Sequence, residues 1–250
     1  MVSKKDIIKH LAVIKMHAIK NIQKQSYHKG LLYLELYSKL AYQYNLFYTD
    51  DIVEKLLNDT SKKLLIKPTF KKNKERIVFY DSFSIDNRGL TQQYLKAIMS
   101  WGYELLYITN ANDIGKDIMS ELKSYQKVKI KKFNSESISE YNTIIYEISS
   151  FSPEKAILHM SPWDISGFLI WNCIDNIDRF LVNLTDHAFW LGKSCSDYFL
   201  EFRRYGINIS INERFIPFEN LLLQPYYPII NNVDFKGFPF KTDKLIAFSG

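Results

Sequence analysis

A chain of 250 residues with 46% apolar side chains is long enough for one large domain or two small ones, and too apolar to be disordered over most of its length. Its two cysteines, Cys173 and Cys195, cannot make a disulfide framework or a four-thiolate zinc site, and no apolar run reaches the ~18 residues of a membrane span. The net charge of +6 is unevenly held: residues 1–75 carry 15 Lys/Arg against 7 Asp/Glu, and residues 76–250 carry 18 against 20.

The basic segment reads as helices. Ile7, Leu11, Ile14, Ala18 and Ile22 recur at three- and four-residue spacing, which predicts one apolar stripe on a long helix. Leu32, Leu36 and Leu40, with Tyr33, Tyr37 and Tyr44, predict a second helix after Gly30, and Thr49-Asp50-Asp51 offers an N-cap to a third. The N-terminus is Lys-rich but has no apolar core or small-residue cleavage site, so it is no secretory signal, and a cytoplasmic setting is expected. Arginine is absent from residues 1–75, which argues against nucleic acid, where bidentate contacts favour Arg. A solvated helix surface, an anionic membrane face or a protein partner remain open for this segment.

Pro68 and the run Lys71-Lys72-Asn73-Lys74 mark a linker. Beyond it, short apolar runs at 76–80, 104–108, 128–130, 156–160 and 180–184 alternate with helical patterns, among them 113–122 and 137–148. That alternation predicts a parallel sheet covered on both faces. Ligands of such sheets sit beyond the carboxyl ends of the strands, in the loops leading into helices.

The loop 81–89 has neither the G-x-G-x-x-G of a dinucleotide site nor the G-K-[ST] of a P-loop, so nicotinamide and ATP chemistry are not expected. It ends in Arg88 and Gly89 before a helix, where free backbone N–H groups can hold a phosphate or a sugar hydroxyl. Trp163, in the loop 161–164, can stack on a sugar ring or pack over a helix end. The loop 185–192 carries His187 next to Asp186; a histidine there suits general-base work, although neighbours on an extended chain point apart and no Asp–His dyad is read from them. No G-x-S-x-G elbow exists, and the five histidines and two cysteines show no metal-ligand spacing.

The run Asp197-Tyr198-Phe199-Leu200-Glu201-Phe202-Arg203-Arg204-Tyr205-Gly206 is followed by Arg214-Phe215-Ile216, by Leu223-Gln224-Pro225-Tyr226-Tyr227-Pro228-Ile229, and by a new apolar run, Lys244-Leu245-Ile246-Ala247-Phe248-Ser249-Gly250. Together with Thr185-Asp186-His187-Ala188-Phe189-Trp190-Leu191-Gly192, this pattern resembles the N-terminal half of bacterial glycosyltransferases of the GT-B architecture. In those enzymes two Rossmann-like domains face each other across a cleft. The resemblance covers residues 76–250, and the helical segment more loosely resembles N-terminal extensions seen in some of them.

The resemblance implies an α/β fold: a Rossmann-like parallel-sheet domain over 73–230, preceded by a small all-α domain over 1–72. Residues 231–250 would be the linker and first strand of a missing second Rossmann-like domain, so that the chain would be truncated or would need a partner chain. It implies transfer of a sugar from a nucleotide-sugar donor, UDP-linked, to a glycan, lipid-linked or protein acceptor, without a metal or other cofactor. His187 would be the base with Asp186 nearby; Arg88, Gly89 and Gln92 would lie at the cleft, and Trp163, Phe189 and Trp190 would shape the acceptor pocket. The basic helices would meet the inner membrane face or a protein partner. A non-catalytic binding module on the same scaffold and a sugar-nucleotide epimerase are the alternatives.

Overall fold

The structure is a computed structural model and describes residues 3–85 and 89–225. Its first three helices are α1 (Lys4–Gln23), α2 (Tyr27–Tyr44) and α3 (Asp51–Leu64). Ser3 caps α1 by accepting from the Asp6 N–H, and Asp50 caps α3 by accepting from Ile52 and Val53. Asp50 also receives Lys15 Nζ at 2.7 Å and the Tyr37 hydroxyl at 2.5 Å, so one cap ties all three helices together. Gly30 lets α1 and α2 touch: a Cβ there would fall 2.5 Å from Ile22 Cγ1.

The sheet strands are β1 (Asn73–Asp81), β2 (Glu104–Thr109), β3 (Val128–Lys132), β4 (Pro153–His159), β5 (Asp178–Val182), β6 (Tyr198–Glu201) and β7 (Leu221–Leu223). The helices between them are α4 (Leu90–Ser100), α5 (Lys116–Ser124), α6 (Ile138–Phe151), α7 (Ile165–Asn172) and α8 (Arg204–Asn212). All seven strands are parallel, in the order β3-β2-β1-β4-β5-β6-β7. The order reverses between β1 and β4, which makes the crevice beyond Asp81 and His159 the topological switch point of a Rossmann-like sheet.

Alternation along the strands divides the core. Ile77 and Phe79 of β1 pack with α4 and α5 on one face, while Val78 and Tyr80 join α6, α7 and the three N-terminal helices on the other. The sequence from Ile165 to Ile174 is apolar apart from Ser166, Gly167 and Asn172. Residues Ile165 to Trp171 of α7 are buried on every side, between the sheet and the N-terminal helices, and a helix apolar all round needs such a place. No helix among the described residues is long and apolar enough to cross a membrane.

The helical segment therefore shares one apolar core with the sheet. Polar ties reinforce it: Asn172 donates to Ser61 Oγ at 2.6 Å, and Asn142 accepts from the Ile66 N–H at 3.0 Å. Glu54 of α3 is 3% exposed and accepts from the backbone N–H groups of Gly192, Lys193 and Ser194 at 3.0, 3.0 and 2.7 Å.

The strand expected at 180–184 lies two residues earlier, because the Leu184 N–H turns back on the Val182 carbonyl at 3.0 Å and ends it. The helix expected at 113–122 begins at Lys116, after Gly115 has donated to the Ser84 carbonyl. The apolar run 244–250 lies outside the described residues.

Candidate functional site

At the switch point β1 ends in Asp81 and β4 in His159, paired in register, and both side chains are fully buried. His159 Nδ1 lies 2.9 Å from Asp81 Oδ1. The same carboxylate accepts from the Phe83 and Ser84 N–H groups at 3.0 Å each, from the Tyr107 hydroxyl at 2.9 Å and from Thr91 Oγ1 at 3.3 Å. Ser84 Oγ continues the network to Tyr107 and Thr109, at 2.8 and 2.6 Å.

Burial alone would raise the Asp81 pKa, but the hydrogen bond and charge of His159, with the Ser84 and Tyr107 donors, outweigh it and hold the carboxyl below its ordinary value. An ionised Asp81 only accepts, so Nδ1 carries a proton, and in the neutral imidazole Nε2 is then the nitrogen with the lone pair. Among the described residues His159 Nε2 has no hydrogen-bond partner, although it is buried. The Phe83 ring stands 4.9 Å from the imidazole and the Phe79 ring 6.2 Å, an apolar frame around a basic nitrogen. A buried acceptor without a partner costs about 1–3 kcal/mol, and such atoms concentrate where chemistry needs them.

The residues expected from sequence fall into separate places. Gly89 takes a left-handed backbone at φ 80 and starts α4, and Gln92 is buried in the first turn of that helix, one residue after Thr91. Arg88 lies outside the described residues. Trp163 stands in the β4–α7 loop, edge-on to Tyr42 at 5.2 Å, and lines a cavity on the opposite sheet face from His159.

Phe189 and Trp190 are core residues. Phe189 is 0% exposed and packs edge-on to Tyr37 and Phe47, while Trp190 lies against Phe199 and under the Arg214 guanidinium at 4.8 Å. Arg214 is itself buried and donates to the carbonyls of Thr185, Asp186 and Ala188, which fixes this loop from below. Burial pulls its pKa down to about 10.

His187 and Asp186 do not form an oriented pair. The His187 side chain is 59% exposed, with Nδ1 3.6 Å from Asp186 Oδ1. Asp186 is instead held by Arg203 through two bonds of 2.5 and 2.9 Å. The His–Asp pair with hydrogen-bond geometry is thus formed by residues 78 positions apart, not by chain neighbours. Sequence reasoning passed over His159 because, at the end of an apolar strand, it looks like any buried residue. Only the strand order puts it beside Asp81.

Asp197 resembles Asp81 electrostatically: burial opposes ionisation, but the paired bonds of Arg179, at 2.9 and 2.8 Å, outweigh it and lower the pKa. A lowered folded-state pKa supplies stability that is fully present above the unfolded value of 3.8 and is lost as pH falls through the folded value. The stability advantage of the wild type over Asp197→Asn should therefore be constant near neutrality and shrink in acid. Urea melts from pH 7 down to about pH 3 check this; a difference that does not change with pH would be the contrary result.

No protein-family model matches the chain, and no curated protein matches it. Among solved structures it is similar to the wall teichoic acid polymerase TagF, with 13% identity and a TM-score of 0.38 over 87% of this chain and 47% of that one. It is also similar to a TagF variant soaked with CDPG, with 13% identity and a TM-score of 0.37 over 88% and 49%. The chain spans about half the length of the solved structures it matches.

Proposed function

We propose that this chain is the acceptor-side half of a GT-B-type glycosyltransferase, with His159 as its general base and Asp81 as the residue that orients the base. The reading is carried by one observation: a buried histidine whose Nδ1 is held by a carboxylate and whose Nε2 has no partner among the described residues, at the switch point of a Rossmann-like sheet. His187 has no comparable support, since its neighbouring carboxylate is engaged by Arg203. The base is therefore assigned to His159 and not to His187.

In this mechanism an acceptor hydroxyl gives its proton to His159 Nε2 as its oxygen bonds to the anomeric carbon of the donor sugar. The bond from that carbon to the diphosphate breaks, and the nucleoside diphosphate leaves with the electron pair. Asp81, kept ionised, stabilises the imidazolium that forms. A second Rossmann-like domain, on the same or another chain, would bind the nucleotide-sugar, UDP-linked in the simplest case. The acceptor would be a glycan, a lipid-linked glycan or a protein.

The test is transfer of label by the complete protein from UDP-glucose and UDP-N-acetylglucosamine into a membrane extract. Incorporation from one donor supports the reading, and incorporation from none overturns it.

The lysine-rich helices would bring the site to an anionic surface. Lys5, Lys9 and Lys20 are exposed on α1 beside Ile8, Val13 and Met16. Binding to phosphatidylglycerol vesicles should weaken about tenfold or more between low and ~0.5 M salt, as screening removes the attraction. Binding indifferent to salt in a sedimentation assay would contradict this role.

A further inference from the structure

The sheet face opposite His159 carries a second polar cluster that the proposed transfer chemistry does not use. Asp164 is 5% exposed and caps α7. Its Oδ1 accepts from the Gly167 N–H at 2.8 Å, from Ser166 Oγ at 2.8 Å and from Asn110 Nδ2 at 3.2 Å, and its Oδ2 accepts from the Tyr80 hydroxyl at 2.8 Å. Gly167 makes this closeness feasible, because a Cβ there would stand 2.6 Å from Asp164 Oδ2. Asn110 Nδ2 also donates to Ser166 Oγ at 2.9 Å, so both amide hydrogens are engaged and the carboxamide oxygen is left to accept.

Asn110, Asp164 and Ser166 form one wall of a cavity of about 250 Å³. Ser82, Ser161, Trp163 and, from α2, Leu31 and Leu32 also line it. The volume is below the ~300–1,000 Å³ of pockets for drug-sized ligands, so it suits one ring and not a nucleotide. A lining that combines hydroxyls and a carboxamide with Trp and Leu side chains matches a sugar ring, which has hydroxyl edges and apolar C–H faces.

Charge narrows the class further. The lining includes Glu35, Glu136 and Asp164 against one histidine, His28, and no lysine or arginine, on a chain whose helical segment is otherwise basic. Lys39 pairs with Glu35 at 2.5 Å on the exposed side of α2 and is not part of the lining. A phosphate would meet three acidic side chains, with one imidazole as the single basic group among the described lining residues.

We infer that this cavity is a binding site, separate from His159, for one neutral polyhydroxylic ring, a hexose taken free or as a unit of a glycan, and that it discriminates against phosphorylated sugars. The inference does not depend on the transferase reading, since binding here needs neither a donor nor His159.

Saturation-transfer NMR on the chain, with glucose, galactose, N-acetylglucosamine and glucose 6-phosphate as probes, tests it. At least one neutral sugar should bind saturably, and glucose 6-phosphate at least about tenfold more weakly, the cost of a like-charge contact. Asn110→Ala should weaken the neutral sugar by up to about tenfold, the value of one hydrogen bond. Leu32→Trp, placed at an exposed position of the mouth, should block it, and Glu35→Gln with Glu136→Gln should narrow the gap to glucose 6-phosphate. His159→Asn should leave binding unchanged. Silence from all three neutral sugars, equal binding of the phosphorylated one, or indifference to both Asn110→Ala and Leu32→Trp would overturn the inference and leave the His159 proposal untouched.

Discussion

On the proposed transfer chemistry, replacing His159 with asparagine in the complete protein should lower transfer about 10²–10⁴-fold, the usual worth of a positioned general base, while the KM for the donor stays nearly constant. Loss of rate alone would not separate chemistry from packing, because His159 is fully buried against Phe79 and Phe83. Asp81→Asn makes the distinction. The asparagine oxygen is kept at the Oδ1 position by the Phe83 and Ser84 N–H groups and still accepts from Nδ1, while its NH2 turns to the Tyr107 and Thr91 hydroxyls. The ring keeps its place and its tautomer but loses the negative charge that stabilises the imidazolium formed in the transfer. A fall in kcat with an intact fold and an unchanged tautomer in long-range ¹H–¹⁵N spectra is the expected signature. Wild-type turnover in both variants would remove the pair from the mechanism and leave His159 a structural residue.

The largest effect on stability should come from Glu54→Ala, by about 3–5 kcal/mol, because one buried and two part-buried backbone donors lose their acceptor at once and a buried orphan costs about 1–3 kcal/mol. Gly192, Lys193 and Ser194 form the link between the β5–β6 loop and α3, and Glu54 is the group that receives all three N–H groups. The lowered urea midpoint should appear without a change in the tautomer of His159, which lies elsewhere on the sheet.

Glu54 also has the opposite pH behaviour from Asp197. Burial raises its pKa, with the hydrogen bonds from Ser194, Gly192 and Lys193 offsetting only part of the rise. A raised folded-state pKa contributes stability that is present below the unfolded value of 4.5 and is lost as pH rises through the folded value. Relative to Glu54→Gln, the wild type should therefore be at its best in mild acid and should lose ground toward neutrality. An advantage that grows with pH would show that the three donors outweigh desolvation.

Much of the architecture was legible in the chain. The stripe of Ile7, Leu11, Ala18 and Ile22 buries the side of α1 that its spacing predicts, and the alternation of short apolar runs with helical patterns yields β1 to β5 and α4 to α7. The segment from β6 to β7 was not resolved into elements. There Ile207, Ile209 and Ile211 alternate with polar residues at the period of a strand, yet they lie in α8. Tertiary contact explains the outcome: Ser210 donates to buried Glu201 at 2.5 Å, and Glu201 also receives Asn183. A long-range polar bond of this kind overrides a local period.

The candidate site followed the same division. Residue type and loop position pointed to His187 and Asp186 because adjacency in sequence is visible and adjacency in space is not. The folded chain makes Phe189 and Trp190 part of the core and gives Asp186 to Arg203. Residue spacing thus determined that this protein has a parallel sheet between helical layers, since periodicity is a local property that burial on one or both faces imposes. Strand order was left to the tertiary structure, because it depends on which edges pair. That order brought Asp81 and His159 together across the reversal between β1 and β4, and on the other face it closed α2 over Asn110 and Asp164.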